Sequence, residues 1–276
     1  MMQDDHQSEG QLTEQNDLFS LDVVSLRPVL GKRTAHLKHT VIATDGWEYA
    51  VKCCQDGEDS LAKVAKNPSL VPASEWLCTK LADMCGIATP HCKVIHDDSS
   101  GVDYFGSRYD LSATSTPMDE ITFAEHLCTS APLKHQVWAI YAFDQFIFNI
   151  DRNLTNYLYS IGRDGHVIVQ PFDFGLSSLV MGWPNRTGDS LLPYGCPTTD
   201  KWIAIRKLTG HHESCKESGL VILEKLSKIQ SDSIEFICNA MPESWLNPLQ
   251  KSALTSWWMS DNRLKRIEAV RKEVLR

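Results

Sequence analysis

The chain has 276 residues, a net charge of -8 at pH 7 and a pI near 5.7. It is long enough to bury a sizeable core as one two-part domain or two small ones. Its acidic balance disfavours a broad phosphate-binding surface, so nucleic acid is not expected as a direct partner.

No stretch approaches the roughly 18 apolar residues of a membrane span, and no apolar run follows a basic one near Met1. Neither a signal peptide nor a membrane partner is expected, and the expected location is the cytoplasm. The nine cysteines are odd in number and form no Cys-x-x-Cys pair. They read as buried free thiols in a reducing compartment.

Residues 1–17 are polar and are expected to be loosely attached. From Leu30 the pattern turns strand-like. His39 to Ala43 and Trp47 to Lys52 flank Thr44-Asp45-Gly46, and an Asp-Gly pair between β-prone runs predicts a hairpin. Pro72 suits the first turn of a helix whose apolar face would carry Trp76, Leu77, Leu81 and Met84, with Gly86 at its C-terminal cap. Ile87 to Ile95 and Tyr104 to Tyr109 read as extended. Past Leu111 the Ser, Thr and Pro content marks a joint, which divides the chain into 18–112 and 113–276.

Leu133 to Phe148 reads as a long apolar helix, with Val137, Ile140, Tyr141, Ile147 and Phe148 at helical spacing. Tyr157 to Ile161 and Val167 to Val169 form a second predicted hairpin across Arg163-Asp164-Gly165, and the chain from about Leu220 reads as amphipathic helices. Strands first and helices later predict an α+β protein of bilobal, protein-kinase-like form, with a small β-rich N-lobe and a larger helical C-lobe.

Two polar clusters carry the chemistry. Asp151-Arg152-Asn153-Leu154-Thr155-Asn156 follows the apolar helix, and Asp173-Phe174-Gly175 follows the second hairpin. Phosphoryl transfer from ATP needs a carboxylate to orient the attacking hydroxyl, and an amide oxygen and a second carboxylate to hold Mg2+. Asp151, Asn156 and Asp173 stand in that order with the five-residue step between base and amide. Lys52 ends a Tyr-Ala-Val-Lys strand from which a lysine can reach nucleotide phosphates, and Glu75 lies near the start of the next helix, where it can fix that lysine. Singly, each has a plain alternative: a solvated strand-end lysine, a first-turn acid on a helix dipole, or turn-forming Asp and Asn.

In Tyr49-Ala50-Val51-Lys52, Glu75 through Gly86-Ile87-Ala88-Thr89-Pro90, Phe105-Gly106-Ser107-Arg108-Tyr109, Phe148 through Asn156, and Phe172 to Gly175, the chain resembles the HipA-like kinases. That bacterial Ser/Thr kinase family is similar to phosphoinositide kinases in its catalytic loop. The resemblance covers about residues 30–180. It implies Asp151 as base, Asn156 and Asp173 as Mg2+ ligands, Lys52 on the ATP phosphates, and Arg108, Tyr109 and Asp110 beside the adenine. It also implies a Ser/Thr protein acceptor, an antitoxin or other regulatory protein as partner, and a toxin or stress role. Gly31-Lys32-Arg33-Thr34 falls where the family has its phosphate loop.

Departures exist. Asn153 stands where the family often has His; it can donate a hydrogen bond toward a γ-phosphate but carries no charge. Asn149 replaces the His of the ordinary protein-kinase triplet, and no Gly-x-Gly-x-x-Gly loop is present. A pseudokinase that binds nucleotide without transfer, and a kinase of small molecules, therefore stay open. The Met181 to Asp200 loop lies where kinases contact the acceptor. His211-His212 with Cys215 lacks the second ligand pair of a zinc site, and the tryptophans from Trp183 to Trp258 are expected in the core.

Overall fold

The computed structural model describes residues 20–29, 38–109, 119–182, 196–210 and 212–276. Outside these fall 1–17, the 31–34 loop, Asp110, the 113–118 joint, Trp183, His211 and most of the 181–200 loop.

Five strands close into a barrel in the order β1-β2-β3-β5-β4. They are β1 (Leu21–Pro28), β2 (His39–Ala43), β3 (Glu48–Lys52), β4 (Cys92–Asp97) and β5 (Val102–Arg108). β2 and β3 form the expected hairpin, and the Asp45 carboxylate fixes its turn by accepting from Trp47 N (3.1 Å) and the Tyr49 hydroxyl (2.6 Å). Closure comes from β1, whose start pairs in parallel with β4 at Leu21 opposite Ile95. Every β-branched or aromatic side chain turned inward meets another, so Val41, Tyr49, Val51, Ile95 and Tyr104 form a core of their own.

Four findings differ from the sequence reading here. The first strand lies upstream of Leu30, and the segment from Ile87 becomes a strand only at Cys92. A short helix, α1 (Cys54–Leu61), was not expected at all. It packs against the 3-10 turn at Pro68–Leu70 that leads into α2 (Val71–Met84). Pro72 sits in the first turn of α2 and Gly86 follows it at φ 74°. Trp76, Leu77 and Leu81 are buried, but Met84 is 43% exposed, because it falls off the buried face in the last turn.

The remaining described chain is mostly helical: α3 (Glu120–Thr129), α4 (Ala131–Ile147), α5 (Thr198–Thr209), α6 (Glu213–Lys228), α7 (Ser231–Asn239), α8 (Pro248–Met259) and α9 (Asp261–Leu275). One hairpin, β6 (Tyr157–Ile161) with β7 (Val167–Pro171), interrupts them. α4 is the central helix and is apolar nearly all round because it packs on α3, α5, α6, α9 and β7. Trp138, Phe143, Trp202, Trp245 and Trp258 are fully buried in this core, each worth about 1.5–3 kcal/mol of burial or more. The core runs without a break from α2 to α9, so α2 belongs with the helical part while its upper face meets β5. Two contacts fasten β5 to the C-terminal region, from Trp245 Nε1 to Asp103 O (3.0 Å) and from Ser244 Oγ to the Asp103 carboxylate (2.6 Å).

The chain is thus α+β. Among the described residues, no helix is long and apolar enough to cross a membrane. All nine cysteines are free; six are buried, Cys53 and Cys54 are half-buried, and Cys128 is exposed.

Candidate active site

The site forms where four segments meet: the end of β3, the first turns of α2, and the two loops flanking the β6–β7 hairpin. Lys52 ends β3 with its side chain turned under the barrel. Its ammonium donates to Glu75 Oε1 at 2.5 Å and to Asp173 Oδ1 at 2.7 Å. Burial opposes the charge on Lys52, but the Asp173 and Glu75 carboxylates outweigh it and raise its pKa above the usual lysine value. It stays an ammonium at any ordinary pH. Burial likewise pushes the Glu75 carboxyl upward, against the pull of Lys52.

Glu75 does two things at once. Its other oxygen accepts the Phe174 backbone N–H at 2.8 Å. The Asp173-Phe174-Gly175 segment is thereby tied to α2, and Ser74 Oγ adds a second tie to Phe174 O at 2.8 Å. The Phe174 ring is fully buried, edge-on to Phe143 at 5.9 Å. Asp173 itself adopts φ 58°, a left-handed conformation that costs a non-glycine residue about 1–2 kcal/mol. The surrounding ties hold it there. A Cβ on Gly175 would stand 3.2 Å from Glu75 Oε1 and 3.4 Å from Asp173 Oδ1, so glycine keeps this crossing open.

The second loop starts where α4 stops. Phe148 takes a left-handed turn (φ 57°, ψ 47°) at the helix C-terminus, and the Asn149 N–H closes on Asp144 O at 2.9 Å. Asn149 is fully buried. Its amide donates to Asp144 Oδ1 (2.9 Å) and its oxygen accepts the Asp151 N–H (3.2 Å), so it orients the backbone of Asp151. Asp151 is half-buried at the cleft. Asn156 donates its amide N–H to Asp151 O at 2.7 Å, and its oxygen accepts the Thr155 hydroxyl at a long 3.4 Å. Phe172 N donates to Asn156 O at 3.1 Å, so the residue before Asp173 is bonded to the residue expected to ligate beside it.

Lys52, Glu75 and Asp173 are therefore in direct contact, and Asp151 and Asn156 in direct contact with each other. Asn153 is used differently from the sequence expectation. Its amide N–H donates to Asp151 O (3.0 Å), and its oxygen accepts from Thr155 N (2.9 Å) and the Thr155 hydroxyl, so it caps the 3-10 turn Leu154–Asn156. Arg108 stacks its guanidinium on the Trp47 ring at 3.3 Å, and Tyr109 donates its backbone N–H to Glu48 O at 2.8 Å. The wall beneath the barrel is made instead by Ala50, Phe105 and Ser107 with Phe172, around a cavity of about 80 Å³ that also touches Lys52, Glu75 and Asp173.

Two residues of the site escaped the sequence reading. Arg152 is buried and makes a forked pair with Asp144, Nε to Oδ2 at 2.8 Å and Nη2 to Oδ1 at 3.1 Å. Its remaining nitrogen donates to Asn156 O (2.8 Å) and Phe172 O (2.7 Å), clamping both loops to α4. The signal was present: Asp144, fully buried, interrupts an apolar helix, and a buried carboxylate demands a cation.

The donor set suits a hard divalent cation, since Asn156 offers an amide oxygen and Asp173 a carboxylate. It also suits a nucleotide, with apolar walls from Ala50, Phe105 and Phe172 leading to a fixed ammonium.

A family model described as HipA-like kinase matches residues 43–169. The fold is similar to that of a Helicobacter pylori proinflammatory kinase, CtkA, with a TM-score of 0.58 and 12% identity, covering 93% of this chain and 98% of that one. A looser likeness, TM-score 0.44 and 12% identity over 73% of this chain and 57% of the other, is to a chain of the Shewanella oneidensis MR-1 complex of HipA, HipB and operator DNA. No curated protein matches in sequence. The matched segment contains Lys52, Glu75, Asp151 and Asn156 and stops four residues short of Asp173. Over residues 43–169, then, this chain is similar to the HipA-like kinases.

Proposed function

We propose that this chain transfers the γ-phosphoryl group of ATP, with Mg2+, to a hydroxyl, most simply a Ser or Thr of a protein. The observation that carries the reading is the placement of Lys52 Nζ between Glu75 and Asp173, at 2.5 and 2.7 Å, with Asp173 joined through Phe172 and Asn156 to Asp151. The nucleotide would lie in a cleft between a small barrel lobe and a larger helical lobe.

Each residue then has a task. Lys52, kept charged by its two carboxylates, holds the phosphates. Asn156 Oδ1 and the Asp173 carboxylate hold the metal, which when bound neutralises charge developing on the phosphate oxygens. Asp151 accepts the proton of the acceptor hydroxyl as its oxygen attacks phosphorus. Asn149 and Arg152 keep that loop in register, so most of the catalysis is positioning and electrostatics. The family's toxin or stress role and its antitoxin-type partner come to this chain by analogy.

A pseudokinase is the second reading. The observation that favours it is that one N–H of the Asn153 amide is spent on Asp151 O, so that position keeps a single uncharged donor for a γ-phosphate. Incubation with γ-labelled ATP and Mg2+ in a cell lysate separates the two. We expect label on a protein acceptor, abolished by Asp151→Asn with ATP binding nearly intact, and Mg2+-dependent ATP binding weakened by Asp173→Asn. ATP-dependent thermal stabilisation without any turnover would establish the pseudokinase. Label on a small molecule would move the acceptor to that class, and full activity of Asp151→Asn would remove it as base.

A further inference from the structure

Behind the catalytic loop, on the side away from Lys52, lies a pocket of about 360 Å³, more than four times the cavity under the barrel. Three helices wall it: Phe123 and Ala124 from α3, Val137 and Tyr141 from α4, and Trp202 with Ile205 from α5. Its fourth side is the catalytic loop itself, Arg152 to Leu154.

Its walls are fixed. Trp202 lies flat on Tyr141 (3.6 Å between ring centres, 6° between planes) and edge-on to Trp138 at 4.6 Å. The neighbouring indole of Trp138 spends its N–H on Thr209 Oγ1 at 3.1 Å, whereas the Trp202 Nε1–H is buried with no acceptor among the described residues. Buried donors are ordinarily satisfied. An apolar cavity of this size, with a rigid aromatic wall that carries two buried polar groups without a partner among the described residues, the Trp202 N–H and the Tyr141 hydroxyl, has the make-up of a small-molecule site between packed helices. The rim carries one charge of each sign, Glu120 and Lys201, and Lys201 Nζ donates to Arg152 O at 2.9 Å.

We propose that this pocket is a second ligand site, taking a small, largely aromatic molecule with one hydrogen-bond acceptor, and that its occupancy acts on the catalytic loop. The coupling rests on the phosphotransferase reading above; the binding does not. The route is short. The ligand would touch Arg152, which holds Asn156 O and Phe172 O, and Asn153, which holds Asp151 O. A displacement of that wall is felt on both sides of the metal-binding pair.

The test uses 8-anilinonaphthalene-1-sulfonate, which has an aromatic body and acceptor oxygens, on the full chain. The expected result is one saturable site per chain, retained at saturating ATP and Mg2+, and weakened at least ten-fold by Ala124→Phe. Ala124 is half-buried on α3, so the added ring enters the pocket without emptying the core; an unchanged unfolding midpoint confirms that the variant folds. Bound probe should change the rate of phosphoryl transfer in the parent and not in Ala124→Phe. Complete displacement of the probe by ATP, or equal binding by the variant, overturns the proposal. An unchanged transfer rate at full occupancy overturns its regulatory half. Absence of any transfer, with binding as expected, would instead sink the phosphotransferase reading. Failure of the probe to bind, with a raised KM for a protein acceptor in Ala124→Phe, would assign the pocket to an apolar side chain of that acceptor.

Discussion

Replacing Arg152 by Met removes the guanidinium while keeping much of the side-chain volume. In the parent, its fork neutralises the fully buried Asp144 and its third nitrogen satisfies two backbone carbonyls. Breaking a buried ion pair by deleting one partner costs about 3–5 kcal/mol, because the remaining charge has no water to turn to. The two carbonyls add to this only where water cannot reach them. We therefore expect Arg152→Met to lose about 4 kcal/mol, a large part of the roughly 5–15 kcal/mol that holds a domain together. Adding Asp144→Asn removes the stranded charge and should return about 2 kcal/mol, a coupling that only neighbouring groups show. Denaturant unfolding of the parent, both single variants and the double variant measures it. Phosphoryl transfer should stay low in the double variant even where stability returns, since the guanidinium that clamps Asn156 O and Phe172 O to α4 is then gone. An Arg152→Met protein within about 1 kcal/mol of the parent, or a double variant no more stable than the single, would refute the reasoning.

Other outcomes follow from the same geometry. Glu75→Gln keeps the shape but weakens two charge-assisted bonds, to Lys52 and to the Phe174 N–H, and should raise the KM for ATP about ten-fold, measured by initial rates. Gly57→Ala in α1 would place a Cβ 1.9 Å from Pro68 O, a backbone atom that cannot swing aside; a loss of about 3 kcal/mol or more in denaturant unfolding is expected. His96 has its pKa raised by the hydrogen bond to Asp103 at 2.8 Å. A raised histidine contributes stability that is complete below the unfolded value of about 6.5 and is lost as pH rises through the folded value. The stability difference between parent and His96→Gln should therefore shrink above pH 6.5, and an NMR titration of His96 should show a midpoint above the ordinary histidine value.

The carboxylates and amide of the candidate site stood out in the sequence because their spacing is local. Asp151 and Asn156 lie in one short loop, and Asp173 follows one tight hairpin, so turn chemistry alone carries them close together. Lys52 and Glu75 were legible for a similar reason, each at the end of an element whose pattern is plain. Arg152 was hidden in the same motif, since its partner Asp144 sits on the preceding helix and reads as part of it. The stacking of the Arg108 guanidinium on Trp47, across the β3–β5 pairing, was not legible. That register is a property of the closed barrel rather than of either strand.

By itself, then, the sequence determined which polar groups to look for at the candidate site, the two hairpins and the apolar helix that delivers Asp151. These depend on periodicity and turn residues within a few positions of each other. Tertiary structure alone decided that Leu21 meets Ile95 to close the barrel, that Glu75 holds the Phe174 N–H, and that a pocket opens between Trp202 and the catalytic loop. Those contacts join residues far apart along the chain, and what selects them is the burial of whole faces at once, which no local pattern records.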